Sequence, residues 1–167
     1  MNETDAIDTA RRLFLDDANT YGCAETIFIA LKEAYGLPDS GDSAAAMALN
    51  GGMAYSGGAC GAISGAGMAV GLLAAQRIAD HRDAKRAARR ITARFMDDFE
   101  GTYGSTDCRD LIGMDIGTEE GHRAFIESGI WRDRCMRQIE FAVGRLAPLA
   151  DEATWEQALH DLDEPEA

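Results

Sequence analysis

The sequence lacks the features that mark several classes of protein. Its first residues are acidic and have neither the basic head nor the apolar run of a secretory signal, so we expect a cytoplasmic protein. Only three prolines occur in 167 residues, and no linker, repeat or low-complexity segment divides the chain. Alternation of polar and apolar residues, which indicates β-strands, is also missing. These absences favour a single-domain, all-α helical bundle.

Positive charge is scarce. Sixteen Lys and Arg stand against 29 Asp and Glu, which gives a net charge of −13 and a pI near 4.5. Nucleic acid is therefore not an expected partner, because binding it requires cations that neutralise phosphates. With 46% hydrophobic residues, the chain has enough apolar material for a core of its own.

No charged residue occurs from Ser43 to Gln76. A membrane span needs about 20 mostly apolar residues, whereas the best run here, residues 59–75, consists mostly of small residues and glycines interrupt the segment before it. The pattern predicts a Gly/Ala-rich helix buried within a bundle, with no membrane insertion.

Helical spacing of apolar residues divides the chain into segments. We predict a four-cysteine helical domain over residues 1–150 and an acidic, partly helical tail over residues 151–167. The predicted helices cover residues 6–15, 23–35, 43–49, 61–78, 81–99 (with Asp80 as cap), 108–112, 119–128, 131–146 and 155–162.

The four cysteines are Cys23, Cys60, Cys108 and Cys135, and no C-x-x-C pair is present. Thiols of a cytoplasmic protein are more often metal ligands or redox groups than structural disulfides. The three histidines, in contrast, stand apart in sequence, and we expect them to be surface or capping residues.

Glycine surrounds one of these cysteines. Eight of the 18 glycines lie between Gly51 and Gly71, and Gly57, Gly61 and Gly65 recur every four residues. On a helix this spacing makes a groove without side chains, into which another backbone can pack closely. Each glycine inside a helix costs about 1 kcal/mol relative to alanine, so several of them indicate that the close approach matters.

Helix starts are the second feature that the cysteines share. Cys60 lies where the glycine turn becomes a helix, and Cys23 and Cys108 also begin predicted helices, whereas Cys135 falls inside one. Such positions, and the cation Arg109 next to Cys108, favour a thiolate and a lowered pKa. We therefore predict one shared site, in which backbone N–H groups of Gly58 and Gly61 bond the sulfurs.

The order of these elements resembles the C_GCAxxG_C_C family of redox-active proteins. Cys23 matches the first cysteine of the pattern, residues 60–65 (CGAISG) match its central motif, Cys108 begins a Cys-Arg-x-Leu-x-Gly-like segment, and Cys135 is the last cysteine. The resemblance covers residues 8–147. It implies electron transfer or a metal or iron–sulfur centre.

Three functions remain open from the sequence. Four thiolates complete the ligand set of a [2Fe–2S] cluster; alternatively Cys60 attacks as a low-pKa thiol and Cys108 or Cys23 resolves the disulfide; or four cysteines hold zinc in a helical binding module. The first two need a redox partner protein or a small-molecule electron donor or acceptor. Whether the protein is an enzyme stays open, and the Gly-rich helix offers an interface for a homodimer.

Overall fold

The described part of the chain, residues 2–163, is built from helices, as the all-α prediction requires. This computed structural model contains no strand in that range, only an isolated antiparallel bridge between Ala59 and Asp107. The α-helices are α1 (Glu3–Phe14), α2 (Cys23–Ala34), α3 (Gly61–Arg77), α4 (His81–Tyr103), α5 (Cys108–Ile112), α6 (Glu119–Ser128), α7 (Arg134–Leu146) and α8 (Glu152–Asp163), with 3₁₀ helices at Ala44–Leu49, Ile130–Arg132 and Ala147–Ala150.

Side-chain caps explain several of these boundaries. Asp80 accepts hydrogen bonds from the backbone N–H groups of Arg82 and Asp83, which confirms it as the cap of α4. Three predicted helices are longer in the structure: α1 begins at Glu3, α4 continues to Tyr103 and α8 begins at Glu152. Two others differ in kind. Residues 44–49 form a 3₁₀ helix rather than an α-helix, and the predicted helix 131–146 divides at Asp133 into a 3₁₀ turn and α7.

Helix α3 lies at the centre of the bundle, in contact with α2, α4 and α7. Its Val70 and Leu73 are buried, which confirms the predicted buried Gly/Ala-rich helix. A Cβ on Gly65 would lie 2.3 Å from the carbonyl oxygen of Ala24, so this glycine lets the backbones of α3 and α2 meet. Gly71 faces open space, so the close packing involves only part of the glycine pattern. No helix in residues 2–163 has the length and apolarity needed to cross a membrane.

The segment predicted as an acidic tail folds onto the bundle as far as it is described. Trp155 of α8 is only 2% exposed, and the Arg77 guanidinium lies 5.2 Å from the centre of its ring. Arg77 also donates hydrogen bonds to the carbonyls of Leu149 and Ala150. Residues 164–167 lie outside the described residues.

Candidate functional site

A left-handed turn leads into the site. Residues 51–55 all have positive φ, between 51° and 72°, and three of them, Met53, Ala54 and Tyr55, are not glycine. A left-handed conformation costs a residue with a Cβ roughly 1–2 kcal/mol. The turn is held by backbone hydrogen bonds, among them Gly57 N–H to Gly51 O and Gly58 N–H to Gly52 O.

The isolated bridge then brings two cysteines together. The N–H of Cys60 donates to the carbonyl of Thr106 (2.8 Å), and the N–H of Cys108 donates to the carbonyl of Gly58 (2.7 Å). Because Cys60 and Cys108 lie one residue to either side of the Ala59–Asp107 pair, their side chains leave the same face of the ladder. Gly58 therefore anchors Cys108 with its carbonyl, while its N–H bonds Gly52 rather than a sulfur.

Two glycines make room for Cys23, the first residue of α2. A Cβ on Gly61 would lie only 2.2 Å from the Cys23 Sγ and 2.9 Å from the Ala24 nitrogen. On the other side, a Cβ on Gly22 would lie 2.3 Å from the Asn50 Cγ. Gly61 thus leaves room for the sulfur against the first turn of α3, and Gly22 leaves room for the Asn50 side chain beside it.

Backbone donors surround the Cys23 sulfur. Burial raises the pKa of this thiol, while the backbone N–H groups of Gly51, Ala24, Cys23 itself and Gly61 near the sulfur oppose the rise. Gly61 is one of the two glycines predicted to bond the sulfurs, and that role stays a prediction. Gly51, which the sequence did not single out, opposes the rise from the left-handed turn.

A buried carboxylate holds this arrangement in place. Glu25, only 7% exposed, accepts hydrogen bonds from Gly22 N–H (3.0 Å), Ser43 Oγ (2.9 Å) and Asn50 Nδ2 (2.8 Å). Asn50 in turn accepts from the N–H of Ala24 (3.0 Å), and its Oδ1 lies 4.0 Å from the Cys23 Sγ. The network fixes the start of α2 against the left-handed turn.

All four cysteines lie at helix starts. Cys23 and Cys108 are the first residues of α2 and α5, and Cys60 is the N-cap of α3. Cys135, predicted to lie inside a helix, is the second residue of α7, because that helix begins at Arg134. The exception drawn from the sequence is therefore wrong, since the preceding 3₁₀ turn continues the apolar pattern but not the α-helix.

The four thiols interact with one another. Burial is the main cause that raises the pKa of Cys60 well above its ordinary value, and charge on Cys23, Cys108 or Cys135 raises it further. Charge on Cys23 likewise raises the pKa of Cys108 and Cys135, after burial as the larger cause. Charge on Cys23 thus acts on all three other thiols, and the predicted shared site of four cysteines stays a prediction.

The predicted lowering of the thiol pKa at Cys60 and Cys108 is wrong. Cys60 is only 3% exposed, and removing its charged form from water outweighs the single N–H, from Ala62, that favours it. Burial raises the pKa of Cys108 to about 12. Arg109, expected to help Cys108, pairs instead with Asp115 at 3.1 Å and donates to the Ser56 carbonyl.

The four cysteines are suitable ligands for a metal, but their positions in the structure are not those of a metal site. Four cysteines are a fitting donor set for an iron–sulfur cluster or zinc, none is in a disulfide, and N–H groups already address one sulfur. Yet among the residues that the structure describes, no group of three or more Cys, His, Asp or Glu side chains is arranged to hold a metal ion. Binding would require the sulfurs to move closer together.

A cavity of about 120 Å³ opens beside the cysteines. Cys23, Cys108 and Cys135 line it, whereas Cys60 does not. Trp131 and His122, which sequence reasoning passed over, also line it; His122 is half-buried and stacks edge-on against Tyr55 at 4.8 Å, so it is not a surface or capping residue. No motif in the sequence signals either side chain.

Comparison with known proteins identifies a family. A family model described as "Putative redox-active protein (C_GCAxxG_C_C)" matches residues 21–149, which is 129 of the 167 residues and includes all four cysteines. No match to the chain is found among curated proteins or among solved structures. With its motif, its cysteines and most of its length covered by this model, the chain belongs to the C_GCAxxG_C_C family of redox-active proteins.

Proposed function

We propose that the four cysteines form one centre that holds an iron–sulfur cluster and transfers electrons. The observation that carries this proposal is that Cys23, Cys60, Cys108 and Cys135, far apart in sequence, begin four helices whose thiols influence one another's pKa. Four thiolates complete the ligand set of [2Fe–2S], which supplies one-electron chemistry when bound.

The surroundings of the sulfurs suit thiolate ligands. Burial raises the pKa of Cys60, Cys108 and Cys135, and charge on neighbouring thiols raises it further, so a cationic centre would offset both effects. The N–H groups around Cys23, together with the positive ends of α2, α3 and α7, favour the negative charge that remains on the ligands. Such N–H bonds to sulfur also raise the reduction potential of a cluster.

The first test is a spectrum of protein purified without oxygen, with iron, zinc and sulfide analysis. The proposal expects coloured protein with iron and sulfide in equal amounts, and loss of both in each of the four Cys→Ser variants. Gly71→Ala, on the helix that Cys60 begins but in open space, is the matched control and retains both. Colourless, iron-free protein after cluster reconstitution overturns the proposal, and stoichiometric zinc without redox activity supports the zinc module instead.

A thiol–disulfide oxidoreductase is the second candidate, and a specific observation favours it. Cys23 is the most exposed of the four cysteines, the others being at most 9% exposed, and four backbone N–H groups partly offset the rise that burial gives its pKa. In this function the Cys23 thiolate attacks a partner's disulfide and releases one partner thiolate. Cys108 or Cys135, beside it on the cavity, then attacks the mixed disulfide, which leaves an internal disulfide and a reduced partner.

The attacking thiol of this second function differs from the predicted one. Cys60 is enclosed and does not reach the cavity, so Cys23→Ser is expected to abolish exchange, and Cys60→Ser is expected to retain it. Counting titratable thiols in metal-free, folded protein gives the direct check. Exchange requires oxidation to remove two thiols and a reductant to restore them; four thiols that survive oxidation contradict it.

Exposed side chains near Cys23 offer a docking surface for a redox partner. Met47, Met53 and Tyr55 are 60%, 62% and 46% exposed in residues 47–55, the segment that also carries Asn50 and Gly51 next to Cys23. These side chains favour docking of a redox partner protein on this side, close to the sulfurs. A homodimer through α3 has less room, because Gly61 and Gly65 already pack against α2.

A further inference from the structure

The cavity beside the sulfurs has an unusual lining for so acidic a protein. Its walls are formed by aromatic, aliphatic, amide and thiol side chains, and no Asp, Glu, Lys or Arg takes part. A carboxylate would find no Lys or Arg there to replace its hydration, and a cation would find no Asp or Glu. Exposed residues, Asn19, Tyr55 and Ile126, stand among the lining residues and connect the cavity to solvent.

Two nitrogen atoms in this lining have no hydrogen-bond partner among the described residues. They are the Nε1 of Trp131, a side chain only 6% exposed, and the Nδ1 of His122. A buried polar group left without a partner costs about 1–3 kcal/mol. The indole N–H can only donate, so the molecule that satisfies it must bring an acceptor.

The volume limits the size of that molecule. An apolar cavity of about 150 Å³ accommodates benzene, and this cavity has about 120 Å³. We propose that the cavity binds a small, uncharged organic molecule of about six non-hydrogen atoms or fewer, with a carbonyl-type oxygen that accepts the Trp131 N–H bond and with its remaining atoms against Phe14, Ile116 and Phe125.

This ligand lies against the thiols of Cys23, Cys108 and Cys135. That this ligand is the small-molecule substrate of the centre rests on the proposed function. That the cavity binds it does not. Binding and thiol chemistry therefore need separate readouts.

Cyclopentanone is a suitable probe, since it is neutral, has six non-hydrogen atoms and carries one carbonyl acceptor. The chain has two tryptophans, and Trp155 lies in α8, away from the cavity. In ¹H–¹⁵N spectra of reduced protein, cyclopentanone is expected to shift the indole N–H signal of Trp131 and leave that of Trp155 in place. Trp155→Phe and Trp131→Phe assign the two signals.

Two comparisons make the inference specific. Butyrate, of the same size but charged, is expected not to bind, and cyclopentane, which lacks the acceptor, is expected to leave the indole hydrogen bond unmade. Trp131→Phe is expected to weaken cyclopentanone binding about five- to tenfold, the effect of one hydrogen bond. Slower alkylation of Cys23 when cyclopentanone is bound supports the site without relying on any variant.

The inference is overturned if neither indole signal moves at the highest concentration that leaves the circular dichroism unchanged, which would mean that the cavity holds water only. It is equally overturned if both signals move together or if butyrate binds as well as cyclopentanone. Binding of cyclopentanone by protein that shows no thiol or iron chemistry refutes the proposed function and leaves the site standing.

Discussion

Gly61→Ala tests the close packing around the Cys23 sulfur. The new Cβ would lie 2.2 Å from that sulfur, whereas ordinary contact begins near 3.4 Å, so the two atoms must separate by 3.4 − 2.2 = 1.2 Å. Rotation of the Cys23 side chain does not relieve the second contact, 2.9 Å to the backbone nitrogen of Ala24. Forcing extra atoms into a packed region costs about 1–3 kcal/mol.

The loss of unfolding free energy in Gly61→Ala is best measured relative to Gly71→Ala, a replacement on the same helix. Both replacements gain at most about 1 kcal/mol of helix propensity, but the Cβ at residue 71 meets nothing within 4 Å. In urea titrations of reduced, metal-free protein, Gly61→Ala is therefore expected to have an unfolding free energy about 1–3 kcal/mol below that of Gly71→Ala. Equal stability of the two variants refutes the reasoning.

Gly65→Ala separates the fold from the site. Its Cβ would lie 2.3 Å from the carbonyl oxygen of Ala24 and does not meet the sulfur. This variant should lose stability as Gly61→Ala does, yet keep the Cys23 alkylation rate of the parent once the fraction folded is matched. If both variants change that rate alike, the contact of Gly61 with the sulfur has no separate effect.

Three further predictions concern stability. Trp155→Ala should lower the unfolding free energy by about 3–5 kcal/mol, because a fully buried ring is removed; a loss below that of Trp155→Phe in urea titration would contradict the packing of α8. Asn50→Ala should cost about 1–3 kcal/mol and alter Cys23 alkylation, since Ala24 N–H and Glu25 lose their partner; unchanged stability and alkylation would show that the network is dispensable. Reduced, metal-free protein should lose stability as pH rises from about 9 towards 12, because unfolded thiols ionise near 9 while folded Cys108 keeps its proton up to a pKa of about 12. A urea midpoint that does not fall between about pH 9 and 11, or that falls equally in Cys108→Ala, would contradict this.

The sequence was informative where local chemistry decides the structure. Asp80 caps its helix through its own side chain, and α5 and α6 have the bounds that capping and glycine signals predict. The shared position of the cysteines at helix starts was also readable for three of the four. Cys135 was missed because residues 130–132 keep the apolar spacing of a helix while folding as a 3₁₀ turn.

Long-range packing decided what the sequence did not reveal. Burial by distant elements raises the thiol pKa, and this outweighs the helix starts that favour ionisation. Met53, Ala54 and Tyr55 are not residue types that favour a left-handed conformation. The hydrogen bonds around them impose it. Trp131 and His122 reach the cavity only because α6 and the turn before α7 fold over the cysteines.

The separation of the cysteines along the chain has a consequence for biogenesis. Gaps of 37, 48 and 27 residues mean that no fragment shorter than residues 23–135 carries all four cysteines, and closing each intervening segment costs conformational entropy that the packing of the bundle must offset. During synthesis Cys135 leaves the ribosome last of the four, so the centre is completed only when α7 has docked against α2 and α3. Loading or oxidation of the proposed centre would therefore report that the helices carrying the four cysteines have come together.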